Sequence, residues 1–221
     1  MLSVFDPPAT RDQRHAMVAS QLRTAGVSDP RVVAAMASVP REAFLPTDAA
    51  AIAYRDTAIP LGHARAANTP LATGRLLTAA ELDGDDRVLL VGAAGGYTAA
   101  LLAGIVARVT ALESDAALLA IARRALAGTG NVEVVEGPLP EGWPANAPYD
   151  VLVVDGSVEE LPTTLVEQVR VGGRVVTGLV EQGILRLAAG RRTPGGFGLQ
   201  SFADIDCVRL PGFARPQGFR F

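Results

Sequence analysis

Two kinds of segment alternate through the middle of the chain. Short runs of branched apolar residues recur between residues 85 and 177, and segments with apolar positions at helical spacing separate them. A short continuous apolar run is typical of a strand buried on both faces of a parallel sheet. The alternation predicts an α/β fold with a mostly parallel sheet and helices on both faces. The predicted strands are residues 88–91, 108–112, 131–136, 149–155 and 174–177.

The segments before this region are predicted to be mainly helical. Apolar residues recur on one side of residues 11–25, and a second helix starts at residues 28–30, where an acidic capping residue precedes a proline. A third helix follows the Thr69-Pro70 pair and covers residues 71–82. Residues 54–70 have no regular periodicity, so we expect an irregular loop beside the sheet, where substrate contacts are common.

The tail has a different pattern. Residues 184–190 and 202–210 resemble strands, and the turn between them leaves no room for a crossover helix, which predicts an antiparallel pair that finishes the sheet. We therefore predict one domain over residues 1–221. Its parts are a helical cap with a substrate-side loop (1–84), a cofactor-binding α/β core (85–180) and C-terminal antiparallel strands (181–221).

A glycine-rich turn follows the first strand of the core. Gly92 and Gly96 bound this turn, and a helix-forming segment comes next. Glycines let the backbone pass close to a ligand, and the start of the helix offers unpaired N–H groups. Glu113 ends the next strand about 20 residues later, where an acidic side chain accepts hydrogen bonds from ribose hydroxyls. The pattern favours a nucleoside-type ligand, with an ordinary tight turn as the alternative.

Composition excludes several classes of function. The charged fraction is 19% and the net charge is −3, so no nucleic-acid-binding surface is predicted. Cys207 is the only cysteine and there are two histidines, which excludes an internal disulfide and predicts no metal site. Residues 1–14 lack the apolar core of a signal peptide, and no apolar stretch reaches the roughly 18 residues that span a bilayer. We expect a cytoplasmic protein with no membrane partner.

Several short motifs occur in an order that resembles a known family. The most distinctive is the run Val39-Pro40-Arg41-Glu42-Ala43-Phe44. The others are Pro60-Leu61-Gly62 with Pro70, Gly92 with Gly96-Tyr97, Ala147-Pro148-Tyr149-Asp150, and Gly172-Gly173-Arg174-Val175-Val176. Over residues 17–210 the chain resembles the protein-L-isoaspartate O-methyltransferase family, which uses S-adenosyl-L-methionine.

This resemblance implies a fold, a cofactor and a substrate. The fold is the Rossmann-like class I methyltransferase fold. The implied S-adenosyl-L-methionine ligands are Gly92, Gly96, Tyr97 and Glu113. The implied substrate is a protein or peptide that carries an isoaspartyl carboxylate, and the implied catalytic residues are Asn68 and Thr69 at the end of the substrate-side loop. The oligomeric state stays open.

The chain departs from the family pattern at functional positions. The family's Gly-Gln-Thr-Ile-Ser-Gln is replaced by residues 64–69, so its hydroxyl residues fall on Ala66 and Asn68. The family's acidic residue in the glycine strand falls on Leu90, its middle glycine on Ala94, and the aspartate that meets adenine on Pro138. Ala94 is unfavourable if the turn requires a positive φ there. Reduced activity is therefore an expected consequence.

Other polar residues near the predicted site have structural interpretations beside functional ones. Arg65 is expected to be a solvated loop cation, with pairing to a ligand carboxylate as the alternative. Asp155 ends a strand at the ligand edge but does not match a family residue. Trp143 is interpreted as a loop anchor. For Tyr54 and Asp56, a structural bond between the loop and a helix and a contact with substrate are equally expected.

Three hypotheses follow for the function. The first is an S-adenosyl-L-methionine-dependent methyltransferase that acts on isoaspartyl carboxylates. The second is an inactive relative that keeps the fold for binding a partner or for assembly, which the departures favour. The third, a nicotinamide-cofactor enzyme, leaves the N-terminal helices and residues 39–46 unexplained. The discriminating feature is whether the crevice beside Glu113 has room for an adenosine-bearing molecule.

Overall fold

A seven-stranded sheet organises the computed structural model, which describes residues 8–215. Residues 1–14 are the segment for which no signal peptide is predicted. The first seven of them lie outside the described range. The strands are β1 (Ile59–Gly62), β2 (Arg65–Ala67), β3 (Arg87–Val91), β4 (Arg108–Glu113), β5 (Val132–Glu136), β6 (Tyr149–Val158), β7 (Val169–Glu181), β8 (Ile184–Arg191) and β9 (Leu199–Ala203). The α-helices are α1 (Pro8–Met17), α2 (Pro30–Ser38), α3 (Pro70–Ala79), α4 (Tyr97–Ala103), α5 (Ala116–Ala125) and α6 (Thr163–Val166).

The strand order places one crevice at the centre of the sheet. The order is β5-β4-β3-β6-β7-β8-β9, with parallel pairs from β5 to β7 and antiparallel pairs from β7 to β9. From β3 the chain first builds outward through β4 and β5, and then returns to add β6 on the other side. Ligands of open α/β sheets bind at the carboxyl ends of the strands where the order reverses. The sheet therefore has its ligand crevice beside the ends of β3 and β6.

The predicted fold class is confirmed. All five predicted core strands are present, and the central ones pack as continuous apolar runs, with Leu89 and Leu90 both fully buried. The antiparallel pairing predicted for the tail is also present, between β8 and β9. No helix in residues 8–215 is long and apolar enough to cross a membrane.

Two predicted boundaries are wrong at the ligand edge. Residues 54–70, expected to be irregular, contain the two-stranded hairpin β1–β2, in which Ile59 pairs with Ala67. These strands are short and interrupted by proline and glycine, so they have no period-2 signal. The last strand ends at Ala203 instead of residue 210. Beyond it the chain crosses to the ends of the core strands, where Leu210 N donates to Ser157 O.

The helical boundaries shift for local reasons. The helix predicted over residues 11–25 begins at Pro8 and passes through a π-helical turn, Val18–Leu22, before a 3₁₀ turn ends at Gly26 in a left-handed conformation. The helix before β7, α6, is only one turn long, because β7 already begins at Val169 and the chain joins the sheet there. Apolar side chains of α1, α2 and α3 belong to one buried cluster with those of β3 and β4.

The N-terminal section contacts the glycine turn through its backbone. A Cβ placed on Gly95 would lie 2.3 Å from the carbonyl oxygen of Phe44, which is far inside van der Waals contact. Arg41, also in the 3₁₀ turn Arg41–Phe44, is 1% exposed and its guanidinium stacks 4.8 Å above the ring of Tyr97. The distinctive sequence run 39–44 thus forms one wall of the crevice.

This contact leads to a stability prediction. Gly95→Ala is expected to lower the free energy of unfolding by about 1–3 kcal/mol, because a rigid backbone atom blocks the new methyl group. Gly104→Ala is the matched control, since its Cβ would be 3.7 Å from its nearest neighbour and its φ is negative. Urea unfolding measures both variants. Equal stabilities for the two would contradict the close approach at Gly95.

Candidate functional site

The glycine turn between β3 and α4 has the backbone conformation that its sequence predicts. Gly92 and Gly96 adopt φ values of 82° and 98°, and Ala94 adopts a φ of 49°. The N–H groups of Gly92 and Ala93 both donate to the carbonyl oxygen of Leu112, which fixes the turn against β4. Ala94 is therefore held in the left-handed region, where a Cβ is unfavourable. The turn does require a positive φ at this position, so alanine is less favourable there than the glycine of the family pattern.

Glu113 lies at the tip of β4 and is fully buried. Its Oε2 accepts from Ala94 N at 2.7 Å, and its Oε1 accepts from Ser114 N at 2.8 Å and Asp115 N at 3.0 Å. Both oxygens also accept from Arg65. The carboxylate faces the glycine turn, as expected of a ribose ligand, but the protein itself fills its hydrogen-bonding positions.

Arg65 is not the solvated loop cation that the sequence predicts. It is 6% exposed, and its two terminal nitrogens donate to the two oxygens of Glu113 in a bidentate pair. At the tip of the same hairpin, His63 Nδ1 lies 3.4 Å from Asp115 Oδ2. The alternative interpretation was that Arg65 pairs with a ligand carboxylate, and its observed partner is instead a carboxylate of the protein.

Asn68 connects three parts of the chain beside the glycine turn. Its Nδ2 donates to Asp155 Oδ1 at 2.7 Å, its Oδ1 accepts from Val208 N at 2.8 Å, and its carbonyl oxygen accepts from Arg41. It is 4% exposed, so this side chain is fixed in place. Thr98 donates to the other oxygen of Asp155. The network joins the substrate-side loop, the tip of β6 and the tail.

Thr69 has a structural role in this arrangement. Its Oγ1 accepts from Ala72 N at 3.0 Å and caps the first turn of α3. Asp56 supports the same turn, since its Oδ1 accepts from Leu71 N at 3.1 Å. The Tyr54 hydroxyl donates a hydrogen bond to the carboxylate of Glu42 and accepts one from Arg14 at 3.2 Å. The loop-to-helix contacts expected of Tyr54 and Asp56 are therefore present.

Two buried polar atoms beside this network have no hydrogen-bond partner within residues 8–215. They are Arg41 Nε and Tyr97 Oη, in side chains that are 1% and 6% exposed. Burial raises the pKa of Tyr97 to about 12, so its hydroxyl stays protonated. Both residues line a cavity of about 20 Å³, together with Asn68, Asp155 and the glycine turn. That volume holds about one water molecule.

The sequence did not single out Arg41 or Thr98 as site residues. Arg41 belongs to a motif used only to identify the family, and its position over Tyr97 depends on a turn far from the glycine strand in sequence. Thr98 follows Tyr97 directly, and a polar residue at the start of a helix beside glycines is the signal that could have identified it. Asp155, weighed as a strand-tip acid, lies at the centre of the network.

The remaining departures from the family pattern lie beside the crevice or beneath it. Leu90 is fully buried in the core, and Pro138 precedes a 3₁₀ turn whose Leu139 is 1% exposed. Leu139 belongs to one apolar cluster with Leu210 and Phe213 from the tail. Trp143 packs against the same cluster, which agrees with its interpretation as a loop anchor.

A larger groove lies on the other side of the loop. It has a volume of about 510 Å³ and runs between residues 56–58, Thr69 and Leu71 on one side and residues 204–208 on the other. Asp56, Asp204 and Asp206 give it a negative rim, and Ile205 and Val208 give it apolar surface. Thr69 and Val208 line this groove, whereas Asn68, which accepts from Val208 N, lines the cavity at the glycine turn.

Together, the reversal of strand order, the glycine turn and the acidic tip of β4 define a Rossmann-like α/β protein of the nucleoside-binding class. A family model described as "Protein-L-isoaspartate(D-aspartate) O-methyltransferase (PCMT)" matches residues 12–193. Protein-L-isoaspartate O-methyltransferase 1 of Rhodopseudomonas palustris (strain HaA2) is 41% identical over 92% of this chain and 84% of that protein. The chain therefore belongs to the protein-L-isoaspartate O-methyltransferase family, as the sequence motifs indicate.

Other comparisons agree. A Synechococcus protein-L-isoaspartate O-methyltransferase is 40% identical over 77% of this chain and 72% of its own length. A solved protein-L-isoaspartate O-methyltransferase superposes with a TM-score of 0.78 at 24% identity, covering 91% of this chain and 66% of that one. The Plasmodium falciparum PCMT structure, in complex with S-adenosyl-L-homocysteine, gives a TM-score of 0.73 at 18% identity and covers 91% and 97%. These two structures show that the fold is shared.

The described conformation does not fit the family's cofactor. The space at the glycine turn is about 20 Å³, whereas pockets for molecules of this size measure several hundred Å³. A Cβ on Gly92 would lie 3.0 Å from the side chain of Leu210, so the tail is packed against the turn. The acceptor positions of Glu113 are taken by protein donors. The crevice is closed by side chains while Glu113 still faces it.

The capping role of Thr69 is testable. Thr69→Ala is expected to lower the free energy of unfolding by about 1 kcal/mol, because the Ala72 N–H loses its acceptor. Thr69→Ser keeps the hydroxyl and should retain most of the stability. Chemical denaturation of the two variants measures the difference. A Thr69→Ala variant as stable as wild type would show that the cap contributes nothing.

The burial of Asp155 leads to a pH prediction. Desolvation raises the pKa of this carboxyl above its ordinary value of 3.8, against the opposing hydrogen bonds from Thr98 and Asn68. Because the folded state holds this proton more tightly than the unfolded chain, Asp155 stabilises the fold fully below about pH 4. That contribution is lost as pH rises through the folded-state pKa. Each tenfold increase in proton affinity on folding is equivalent to about 1.4 kcal/mol of stability.

The measurement is the free energy of unfolding of wild type and of Asp155→Asn from pH 3.5 to 8. The wild-type value relative to the variant should fall as pH rises above 4. A relative stability that rises with pH would mean that the hydrogen bonds outweigh burial and that the pKa is lowered.

Proposed function

We propose that this protein is an S-adenosyl-L-methionine-dependent methyltransferase that methylates the carboxylate of isoaspartyl residues in damaged proteins or peptides. The observation that carries the proposal is the 41% identity to a protein-L-isoaspartate O-methyltransferase over 92% of the chain. The matched family model extends from the N-terminal helices to the antiparallel strands, so the similarity is not confined to the nucleotide-binding core.

The groups around Asn68 suit the recognition of a carboxylate. Arg41 is a buried cation that forms no ion pair with any residue of the described chain, and its Nε lacks an acceptor. Tyr97 Oη is a second donor without a partner. In a conformation that widens the cavity of about 20 Å³, a substrate carboxylate would satisfy both donors, and charged hydrogen bonds of this kind are strong. We assign Asn68 to positioning this carboxylate, with Thr69 supporting the loop through its cap.

The proposed reaction needs alignment more than proton transfer. A carboxyl group with an ordinary pKa is already ionised at neutral pH, so the acceptor oxygen requires no general base. Correct placement of the reacting groups then provides most of the rate. The fixed side chain of Asn68, held by Asp155 and Val208, is suited to that task.

The groove of about 510 Å³ is proposed as the binding site for the peptide around the modified residue. It is large enough for several side chains and opens beside Asn68 and Thr69. A protein or peptide is thus the proposed substrate partner. We also propose a cytoplasmic location, with which the free, buried thiol of Cys207 is compatible.

The function is tested by transfer of labelled methyl groups from S-adenosyl-L-methionine to an isoaspartyl peptide, with the aspartyl peptide of the same sequence as control. Wild type is expected to label the isoaspartyl peptide alone. The inactive alternative predicts no label on either peptide, and no transfer from wild type would overturn the proposal.

Asn68→Ala is expected to lower kcat/KM for the isoaspartyl peptide by about 5- to 150-fold, the equivalent of about 1–3 kcal/mol from lost hydrogen bonds. The matched control is Asn131→Ala, which also removes two side-chain hydrogen bonds, at 3.0 and 3.1 Å. Asn131 directly precedes β5, the edge strand of the sheet, and is therefore remote from the site. An equal loss of activity in both variants would refute the assignment of Asn68.

A further inference from the structure

The hydrogen bonds of Glu113 conflict with a role as ribose ligand in the described conformation. A carboxylate offers about four lone-pair positions. Five N–H groups already donate to Glu113, two from Arg65 and one each from Ala94, Ser114 and Asp115. The three backbone donors belong to the turn and strand themselves. A ribose can therefore bind Glu113 only if it replaces Arg65.

Arg65 lies on a hairpin that is separate from the main sheet. The hairpin β1–β2 forms a two-stranded sheet of its own and is not hydrogen-bonded into the seven-stranded sheet. Its base is anchored by Ile59, which is 1% exposed. At its tip, His63 and Ala64 adopt φ values of 53° and 55°, which non-glycine residues rarely adopt. The tip is held over the glycine turn by Arg65–Glu113 and His63–Asp115.

The same hairpin forms a wall of the closed crevice. Leu61, Ala66 and Ala67 line the cavity of about 20 Å³ together with residues 92–95 of the glycine turn. If the tip moves away, Glu113 gains acceptor positions and the cavity widens in one step. At this position the family pattern has a neutral glutamine, which could not form the charged pair that Arg65 forms with Glu113.

We infer that Arg65 is an internal competitor for the cofactor's ribose, and that the hairpin β1–β2 is a latch which closes the glycine-turn site by pairing Arg65 with Glu113. The inference rests on the proposed function for the identity of the ligand. A ligand that binds only the unlatched protein has its apparent affinity reduced by the unlatched fraction. Weakening the latch should therefore tighten binding, although it removes a buried ion pair.

The experiment is a calorimetric titration with S-adenosyl-L-homocysteine. Arg65→Gln is expected to bind at least tenfold more tightly than wild type. Arg65→Lys keeps the charge but loses the bidentate geometry, so it should give a smaller gain. The matched control is Arg174→Gln. Arg174 and Asp86 form the other buried arginine–carboxylate pair of the described chain, and Asp86 directly precedes β3, at the end of the strand away from the glycine turn. This control is expected to stay within threefold of wild type.

Each result decides the inference. Tighter binding by both Arg65 variants with an unchanged Arg174→Gln supports the latch. Equal or weaker binding by Arg65→Gln overturns it, and so does an equal gain in Arg174→Gln, which would reflect general loosening. Absence of binding in every protein also overturns it. Methyl transfer by wild type distinguishes the two proposals, since transfer without any gain in Arg65→Gln refutes the latch and leaves the function standing.

If Arg65→Gln does not fold, hydrogen exchange of the wild-type protein replaces it. Saturating S-adenosyl-L-homocysteine is expected to slow exchange at residues 92–96 and to accelerate it at residues 62–66, because the tip is released. Slower exchange in both segments would show that the ligand binds beneath a closed hairpin, which contradicts the latch.

Discussion

The buried pair between Arg65 and Glu113 is the interaction on which the state of the site depends. Glu113 is fully buried, so its charge requires strong donors in every conformation. Three come from the backbone and are fixed by the fold, while the others come from a hairpin outside the main sheet. A cationic group or a hydroxyl group must therefore lie beside the Glu113 carboxylate, on the side that the backbone donors leave free. Arg65 meets that demand from within the chain.

The parallel sheet brings distant residues to one edge. Asn68, Thr98 and Asp155 are far apart in sequence, but each lies where a loop, a helix or a strand meets the carboxyl ends of β3 and β6. The tail reaches the same edge and contributes Val208 and Leu210. Asn68 is the central member, since its backbone and side chain bond three other segments. The glycine turn side and the proposed substrate groove are thus linked through one residue.

Periodicity was sufficient for the core and insufficient for the site. The strands around Gly92 and Glu113 were predictable because a strand buried on both faces leaves a continuous apolar run. Glycine permits the positive φ found at Gly92 and Gly96 but does not dictate it, since Gly95 in the same turn has no positive φ. The hairpin β1–β2 was missed because Pro60 and Gly62 erase its alternation. The burial of Arg65 was missed for a deeper reason: pairing with Glu113, 48 positions away, is a tertiary contact that no local pattern encodes.

The departures from the family pattern do not act alike. Leu90 lies in the core and only adds apolar contact, whereas Ala94 places a methyl group at a left-handed φ next to the ligand crevice. Asn68 replaces a hydroxyl residue and gains a donor to Asp155, which itself has no counterpart in the family pattern. The amide of Asn68 donates to the carboxylate of Asp155 and accepts from the Val208 N–H at the same time. The departure at Asn68 is therefore accompanied by a hydrogen-bond network, whereas the departure at Ala94 brings only an unfavourable backbone conformation.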